Sequence, residues 1–273
     1  MTKPFSISGA TRIYPIIGDP IAQVKSPAGM TASFAGRGLD ATVVPIHVTA
    51  ADVDDFIRTA GRVRNIDGII VTIPHKFASL AHCATATERA RIVGSVNVLR
   101  RNADGSWHGE NFDGLGMVGG IRSQGGDPKG RKCLLVGAGG AGMAIAEALL
   151  QDGVAALAIH DVDAARRDRL LARMRAHHGG RVVEGSDDPH GFELVVNATP
   201  MGMKPGDPFP VRVDRLSPDA FVGCVITMPA VSPWVEAARA RGCRGSVGID
   251  MYKAEQALML DFFLAAPART SEV

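Results

Sequence analysis

Residues 133–142 read Cys-Leu-Leu-Val-Gly-Ala-Gly-Gly-Ala-Gly, a short apolar run that passes directly into G-x-G-x-x-G and then into helix-forming sequence over 143–151. A strand, a glycine turn and a helix start follow one another this closely in a βαβ unit, which imposes a parallel sheet on this part of the chain. Each glycine has its own task in such a turn. Gly137 permits the sharp bend, Gly139 lets a pyrophosphate approach the backbone, and Gly142 lets the helix lie close to the strand. With Ala138, Gly140 and Ala141 they present the N–H groups of a helix start to the phosphates of a dinucleotide.

An acid follows at the expected place. Asp161 lies nineteen residues beyond Gly142, at the end of the next apolar run. A carboxylate there accepts hydrogen bonds from the adenosine ribose hydroxyls and repels a 2′-phosphate, so NAD is expected ahead of NADP. Arg166 and Arg167 close behind are the features that favour a phosphate, and Asp163 is placed to cap the following helix.

Short apolar runs alternate with helical patterns along the whole chain, the signature of a parallel sheet covered by helices. Strands are expected over 13–17, 42–48, 68–73, 132–136, 155–160, 181–184, 194–197 and 221–226, and a helix from Ser26-Pro27 to about Gly38. Thr49-Ala50-Ala51-Asp52 sets an oxygen side chain three residues before a carboxylate, which suits another helix start. Two short runs, 96–101 and 106–110, are separated by Asn102-Ala103-Asp104-Gly105, a hairpin signal. The turn-rich stretch 124–130 precedes the fresh βαβ series that begins at Lys132, so the chain is read as two domains with the entry to the second near Asp113. A last helical pattern, 249–264, is expected to pack back across the first domain, and the tail after Ala266 to fray.

Composition limits the function classes. Thirty basic and 28 acidic residues are interspersed, leaving no basic face for nucleic acid. Cys83, Cys133, Cys224 and Cys243 are too far apart for a C-x-x-C pair or zinc-ligand spacing, and read as reduced thiols, mostly buried. The adjacent His177 and His178 have no acidic or thiol companion in sequence and read as a solvent-exposed helix end, so no metal is expected. The first ten residues lack the layout of a signal peptide and no apolar run is long enough to span a bilayer, so a soluble, cytoplasmic chain without membrane partners is expected.

The catalytic candidates lie at strand ends and at the domain junction. Gly68-Ile69-Ile70-Val71-Thr72-Ile73-Pro74-His75-Lys76 places a lysine just past a strand, and Gly109-Glu110-Asn111-Phe112-Asp113-Gly114 places a carboxylate between the two domains. With Gly18-Asp19-Pro20-Ile21-Ala22, Gly94-Ser95-Val96-Asn97 and Asn197-Ala198-Thr199-Pro200-Met201-Gly202-Met203, these segments resemble the shikimate dehydrogenase family, in order and across nearly the whole chain. The resemblance implies an α/β fold with an N-terminal catalytic domain, residues 1–112 completed by the helix 249–266, a Rossmann domain over 113–248, and a cleft between them. It implies hydride exchange between a nicotinamide and a ring alcohol of shikimate, quinate or a related cyclic polyol or hydroxy acid, in a monomer or homodimer. Lys76 and Asp113 are then the pair that handles the hydroxyl proton, because removing hydride from a carbinol leaves a protonated carbonyl unless a base takes that proton. Lysine ordinarily titrates near ~10.4, which leaves two assignments open: a desolvated or relayed lysine base, or Asp113 as base with Lys76 holding the alkoxide.

By the same resemblance Ser26, Thr72, Asn97 and either Glu255 or Gln256 contact the substrate. Asn197, Thr199, Pro200, Met203, Val225 and Gly248 line the nicotinamide side, and Val162 and Arg166 flank Asp161 near the adenosine. The chain departs from the family pattern at four places. Val24 replaces a hydroxyl residue, Ile70 an asparagine and Phe112 a threonine, while the family's glutamine on the last helix falls at Glu255 or, one place on, Gln256. Each change removes or alters a polar contact, and a buried polar group left unpaired costs about 1–3 kcal/mol. A substrate less polar on one edge, or of different charge from shikimate, is therefore expected; Glu255 would repel a carboxylate and accept an amine, while Lys25 supplies a cation near Ser26. Two other readings stand beside this one, a methylenetetrahydrofolate dehydrogenase-like enzyme and a dinucleotide-binding regulatory protein without turnover.

Overall fold

The computed structural model describes residues 7–265, and the expected fraying after Ala266 lies outside the described residues. The chain divides into two compact units, residues 1–111 with 256–273, and residues 112–255.

In the first unit the elements run β1 (Arg12–Gly18), α1 (Ser26–Gly36), β2 (Ala41–His47), α2 (Val53–Ala60), β3 (Gly68–Val71), α3 (Lys76–Leu80), β4 (Cys83–Ala86), α4 (Glu88–Val93), β5 (Val98–Arg101) and β6 (Trp107–Glu110). The strands form one sheet in the order β2-β1-β3-β5-β6-β4. Strands β1, β2 and β3 are parallel, as the apolar runs predicted, but β5 is antiparallel to both β3 and β6. The antiparallel pairing of β5 with β6 is the hairpin expected over 96–110, and β5 carries the reversal on to β3. The connection through Asn102 to Gly105 is too short for a crossover helix and reverses the chain, with Asn102 N–H donating to the Ser106 carbonyl at 2.8 Å. Ile17, Ile57, Ile69, Val71, Leu99 and Trp107 form the core on one face of this sheet.

The second unit contains α5 (Asp113–Ser123), β7 (Lys132–Val136), α6 (Gly140–Gln151), β8 (Ala156–His160), α7 (Ala164–His178), β9 (Val182–Glu184), β10 (Leu194–Asn197), β11 (Phe221–Cys224), α8 (Pro233–Ala240), β12 (Arg244–Ser246) and the start of α9 (Gly248–Leu264). Its sheet is parallel in the order β12-β11-β10-β7-β8-β9, the doubly wound dinucleotide-binding order with its reversal between β7 and β10. Residues 248–255 of α9 belong to this unit and its later residues to the first. Phe263 there packs with Tyr14 and Phe34, ring centroids 4.8 and 6.5 Å away.

Helix α5 was not expected from sequence, because four of its eleven residues are glycine, each costing a helix about 1 kcal/mol. The packing explains them. A Cβ on Gly114 would lie 2.0 Å from the Ala144 carbonyl oxygen of α6, and one on Gly120 would lie 2.7 Å from the Met251 nitrogen of α9. Backbone meets backbone on both sides of α5, and no side chain fits between.

One reading of the histidines is also corrected. His177 is exposed, but the His178 side chain is 7% exposed and its Nε2 lies 2.7 Å from the buried Glu147 of α6. The acidic companion comes from a neighbouring helix 31 residues earlier, out of reach of local sequence reading.

Gly120→Ala is expected to destabilise the fold by about 1–3 kcal/mol, through a backbone clash that no rotamer relieves. Gly180→Ala, where no atom lies within 4 Å of the added carbon, should stay within about 0.5 kcal/mol. Chemical denaturation of the two variants checks the difference.

Candidate active site

The glycine loop is held by contacts that give its three motif glycines different surroundings. Gly137 has φ of +105°, and a Cβ there would lie 2.8 Å from Thr199 Cγ2. A Cβ on Gly142 would lie 1.9 Å from the Gly137 carbonyl oxygen, so only glycine lets α6 begin this close to the strand. Around Gly139 the space is open, with nothing within 4 Å of a built Cβ. Gly139 is also the cap of α6, whose first N–H groups have no partner inside the helix. A bare backbone surface beside a helix start fits the pyrophosphate of a dinucleotide.

Asp161, just past the end of β8, is 8% exposed and fixes this loop. Its Oδ2 accepts from the Ala138 N–H at 2.8 Å, while Oδ1 accepts from the Asp163 N–H at 2.8 Å and from Arg166 at 3.0 Å. Burial alone would raise the carboxyl, but these hydrogen bonds outweigh it and hold it below the usual carboxylate range. An ionised carboxylate offers about four acceptor positions. Three are used by these protein donors. Val162 is 74% exposed at the same strand end, and Asp163 caps α7 by accepting from the Arg166 N–H, as expected.

Across the sheet reversal, the 197–203 turn packs against Gly137. Asn197 is fully buried; its Oδ1 accepts from the Thr199 N–H and hydroxyl, and its Nδ2 donates to the Met201 carbonyl. Both polar ends of Asn197 are thus engaged in shaping the turn. Pro200 and Met203 are exposed on it, Val225 is half-buried after β11, and Gly248 is buried with its N–H donating to the Ile226 carbonyl.

In the first unit, the C-terminal end of β3 gathers Thr72, Lys76 and Asn97. Thr72 N–H donates to the Ile17 carbonyl, and Gly18 leaves room for its methyl, which a Cβ there would approach to 2.4 Å. Lys76 is half-buried as the first residue of α3, and its carbonyl accepts from Val96 at 3.0 Å. Asn97, 1% exposed, accepts from the Val71 N–H through its carbonyl and donates its own N–H to the Glu110 carbonyl. His75 is buried with Nε2 2.7 Å from the Val48 carbonyl, which makes it a brace beneath the lysine. Ser26 is buried at the first residue of α1.

Gln256 is directed onto α1. Its amide nitrogen, Nε2, donates to the Gly29 carbonyl at 2.9 Å and to the Ser33 hydroxyl at 2.7 Å. Glu255 instead faces α5 in the second unit, its Cβ 2.9 Å from where a Gly116 Cβ would be. Asp113 is the first residue of α5 and is 3% exposed.

Sequence reading missed what anchors the segment leading to Asp113. Glu110, 3% exposed at the end of β6, accepts from the Asn111 N–H at 2.7 Å, the Thr87 hydroxyl at 2.9 Å and Arg89 at 2.7 Å. Its place beside Asn111 in the motif was a signal, but Arg89 is 21 residues away. The four cysteines are free thiols; burial pushes Cys83 up to about 12 and Cys133 further, so neither is a nucleophile near neutral pH. Among the described residues no cluster of three or more His, Cys, Asp or Glu side chains could hold a metal, and no helix is long and apolar enough to cross a membrane.

The family described as shikimate dehydrogenase substrate binding domain matches residues 16–99. The shikimate dehydrogenase (NADP(+)) of Rubrobacter xylanophilus is 37% identical over 242 residues, covering 86% of this chain and 84% of its own. The chain belongs to the shikimate dehydrogenase family. Among solved structures, quinate dehydrogenase from Corynebacterium glutamicum in complex with NAD aligns with a TM-score of 0.85 at 28% identity, covering 93% of each chain. The ligand-free 5-ketofructose reductase of Gluconobacter sp. strain CHM43 aligns with a TM-score of 0.85 at 26% identity over 93% of each. This family member is an enzyme, an NAD(P)-dependent alcohol dehydrogenase of the shikimate/quinate dehydrogenase type.

The loop contacts of Asp161 set a pH dependence. Its folded value lies below the unfolded value of about 3.9, so its contribution to stability is complete above that value and is lost as pH falls through the folded one. Comparing wild-type and Asp161→Asn unfolding from pH 7 downward should show a stability gap that narrows below about pH 4. A gap of constant size across that range contradicts the assignment.

Proposed function

We propose that the chain interconverts a ring hydroxyl and the corresponding ketone of shikimate, quinate or a related cyclic polyol, with NAD ahead of NADP. The observation that carries this reading is the contact of Gly114 with Ala144, which holds the helix beginning at Asp113 against the helix that starts at the glycine loop. An acid and a dinucleotide-binding surface are thereby fixed within one unit.

When bound, the nicotinamide supplies the hydride acceptor or donor. Gly137, Gly139 and Gly142 leave the backbone bare for the pyrophosphate, with Ala138, Gly140 and Ala141 contributing N–H groups. The 197–203 turn and Val225 border the nicotinamide side. Asp161 receives one ribose hydroxyl at its remaining acceptor position. A 2′-phosphate there would meet the Asp161 and Asp163 carboxylates, and Arg166 is already paired to both. The Rubrobacter relative is named for NADP(+), and the C. glutamicum structure holds NAD; the two carboxylates are the local chemistry that favours NAD in this chain.

Lys76 and Asp113 handle the proton of the reacting hydroxyl. In oxidation one of them takes the O–H proton while the ammonium of Lys76 favours the negative oxygen; in reduction the proton returns to that oxygen. Thr72 and Asn97 orient the remaining ring hydroxyls, and Ser26 is one contact to a substrate carboxylate where the substrate has one. Val24, Ile70 and Phe112 remove three polar groups from the family pattern, which favours a substrate with a less polar edge. The likeness to a ketofructose reductase, whose named substrate carries no carboxylate, supports the same direction.

A spectrophotometric panel at the reduced nicotinamide absorbance tests the reading: shikimate, quinate, aminoshikimate and neutral cyclic polyols, each with NAD and NADP. Turnover is expected on at least one, with NAD giving the higher kcat/KM, and Lys76→Ala and Asp113→Asn are each expected to lower kcat by about 10²–10⁴. Binding of NAD without turnover on any member, or near wild-type rates in both variants, overturns it.

A further inference from the structure

We propose that Asp207 is a positioning residue for the cofactor: it holds the backbone from Gly202 to Lys204 in the shape that presents Met203 to the nicotinamide ring. The inference rests on the reading of the 197–203 turn as the border of the nicotinamide side, and it adds the group that keeps that border in place.

The turn satisfies its N–H groups from within. Pro200 has none to satisfy. Thr199 N–H donates to Asn197 Oδ1 at 3.0 Å, Met201 N–H to the Thr199 hydroxyl at 3.1 Å, and Met203 N–H to the Pro200 carbonyl at 3.1 Å. The N–H groups of Gly202 and Lys204 both go to one atom, Oδ2 of Asp207, at 3.1 and 2.9 Å. Asn197 therefore shapes the first half of the turn and Asp207 the second. The chain closes on itself there, with Asp207 N–H donating to the Lys204 carbonyl at 3.1 Å.

Gly202 marks where the turn rests on the rest of its unit. Its φ is +97°, and a Cβ on it would lie 3.5 Å from the Ser232 Cβ and 3.6 Å from Ile226 Cδ1. Met203, next in the chain, is 45% exposed, so its direction is set mainly by the backbone on either side of it. Both flanking N–H groups are tied to a single carboxylate. Successive N–H groups in a turn form a concavity that binds an anion, and here the chain supplies the anion itself. The Lys204 N–H, then those of Gly202 and Met203, outweigh desolvation and hold the Asp207 carboxyl below the usual carboxylate range. The charge is thus present at neutral pH, and hydrogen bonds to a charged acceptor are stronger than those to a neutral amide.

The test separates the nicotinamide from the rest of the cofactor. Wild type, Asp207→Asn and Asp207→Ala are titrated with NADH, followed by nicotinamide fluorescence, and with ADP-ribose, which lacks that ring, followed by calorimetry, with thermal unfolding recorded for each. Wild type is expected to bind NADH more tightly than ADP-ribose and to enhance its fluorescence. Asp207→Ala is expected to weaken NADH roughly three- to ten-fold and to dim the enhancement, while ADP-ribose affinity stays within about two-fold; Asp207→Asn falls between the two. A general loss of structure would weaken both ligands alike. Two results overturn the proposal, and they are distinct. An Asp207→Ala variant that binds both ligands as wild type does, or weakens both by the same factor, removes Asp207 as a positioning residue and leaves the dehydrogenase reading intact. A wild type that binds NADH no more tightly than ADP-ribose, with the fluorescence unchanged, removes the turn from the nicotinamide side and this inference with it.

Discussion

The constraint on which the helices of the second unit depend is the meeting of α5 and α6 at Gly114, where any side chain carbon would fall 2.0 Å from the Ala144 carbonyl oxygen. Helices usually pack with axes 8–10 Å apart, and glycine contacts bring them to the short end of that range. Asp113 is the residue before Gly114, and Ala144 lies one turn inside the helix that starts at the glycine loop. The position of the acid relative to the dinucleotide loop is therefore a backbone property, insensitive to rotamer choice. The same helix carries Gly116 and Gly120 toward α9, so the arrangement of three helices is set by places where side chains are absent.

Polar groups then fix what the glycines allow. Asp161 ties the loop to the helix after β8, and Glu110 ties the end of β6 to Arg89 and Thr87. Both are nearly buried carboxylates whose charge is matched by an arginine and by hydrogen-bond donors, the condition under which a buried charge is tolerated. Asn197 does for the 197–203 turn what Asp161 does for the glycine loop. Residues of the motifs thus divide into those with a polar atom left to offer a ligand and those whose atoms are consumed in shaping the backbone that meets it. That division follows from counting donors and acceptors.

The sequence made the strand-turn-helix at 133–142 and its following acid legible because they depend on local order: apolar run, glycines, helix formers. The hairpin before Ser106 was legible for the same reason. Helix α5 was hidden because its glycines argue against a helix when read locally, and their purpose lies in α6 and α9. His178 was misread because its partner Glu147 comes from another helix, and β12, Arg-Gly-Ser, has no apolar run to mark it. Sequence left Glu255 and Gln256 as alternatives because a helix face is decided by what packs on it; in the fold Gln256 bonds to α1, while the Glu255 Cβ lies against α5.

The most direct measurement is a crystal structure of the chain with NAD and a bound polyol. The account predicts the pyrophosphate against the bare backbone at Gly139 and the Asp113 carboxylate within a hydrogen bond, about 2.6–3.2 Å, of a substrate hydroxyl. A nucleotide bound away from the glycine loop, or a substrate seated with no contact to Asp113, contradicts it.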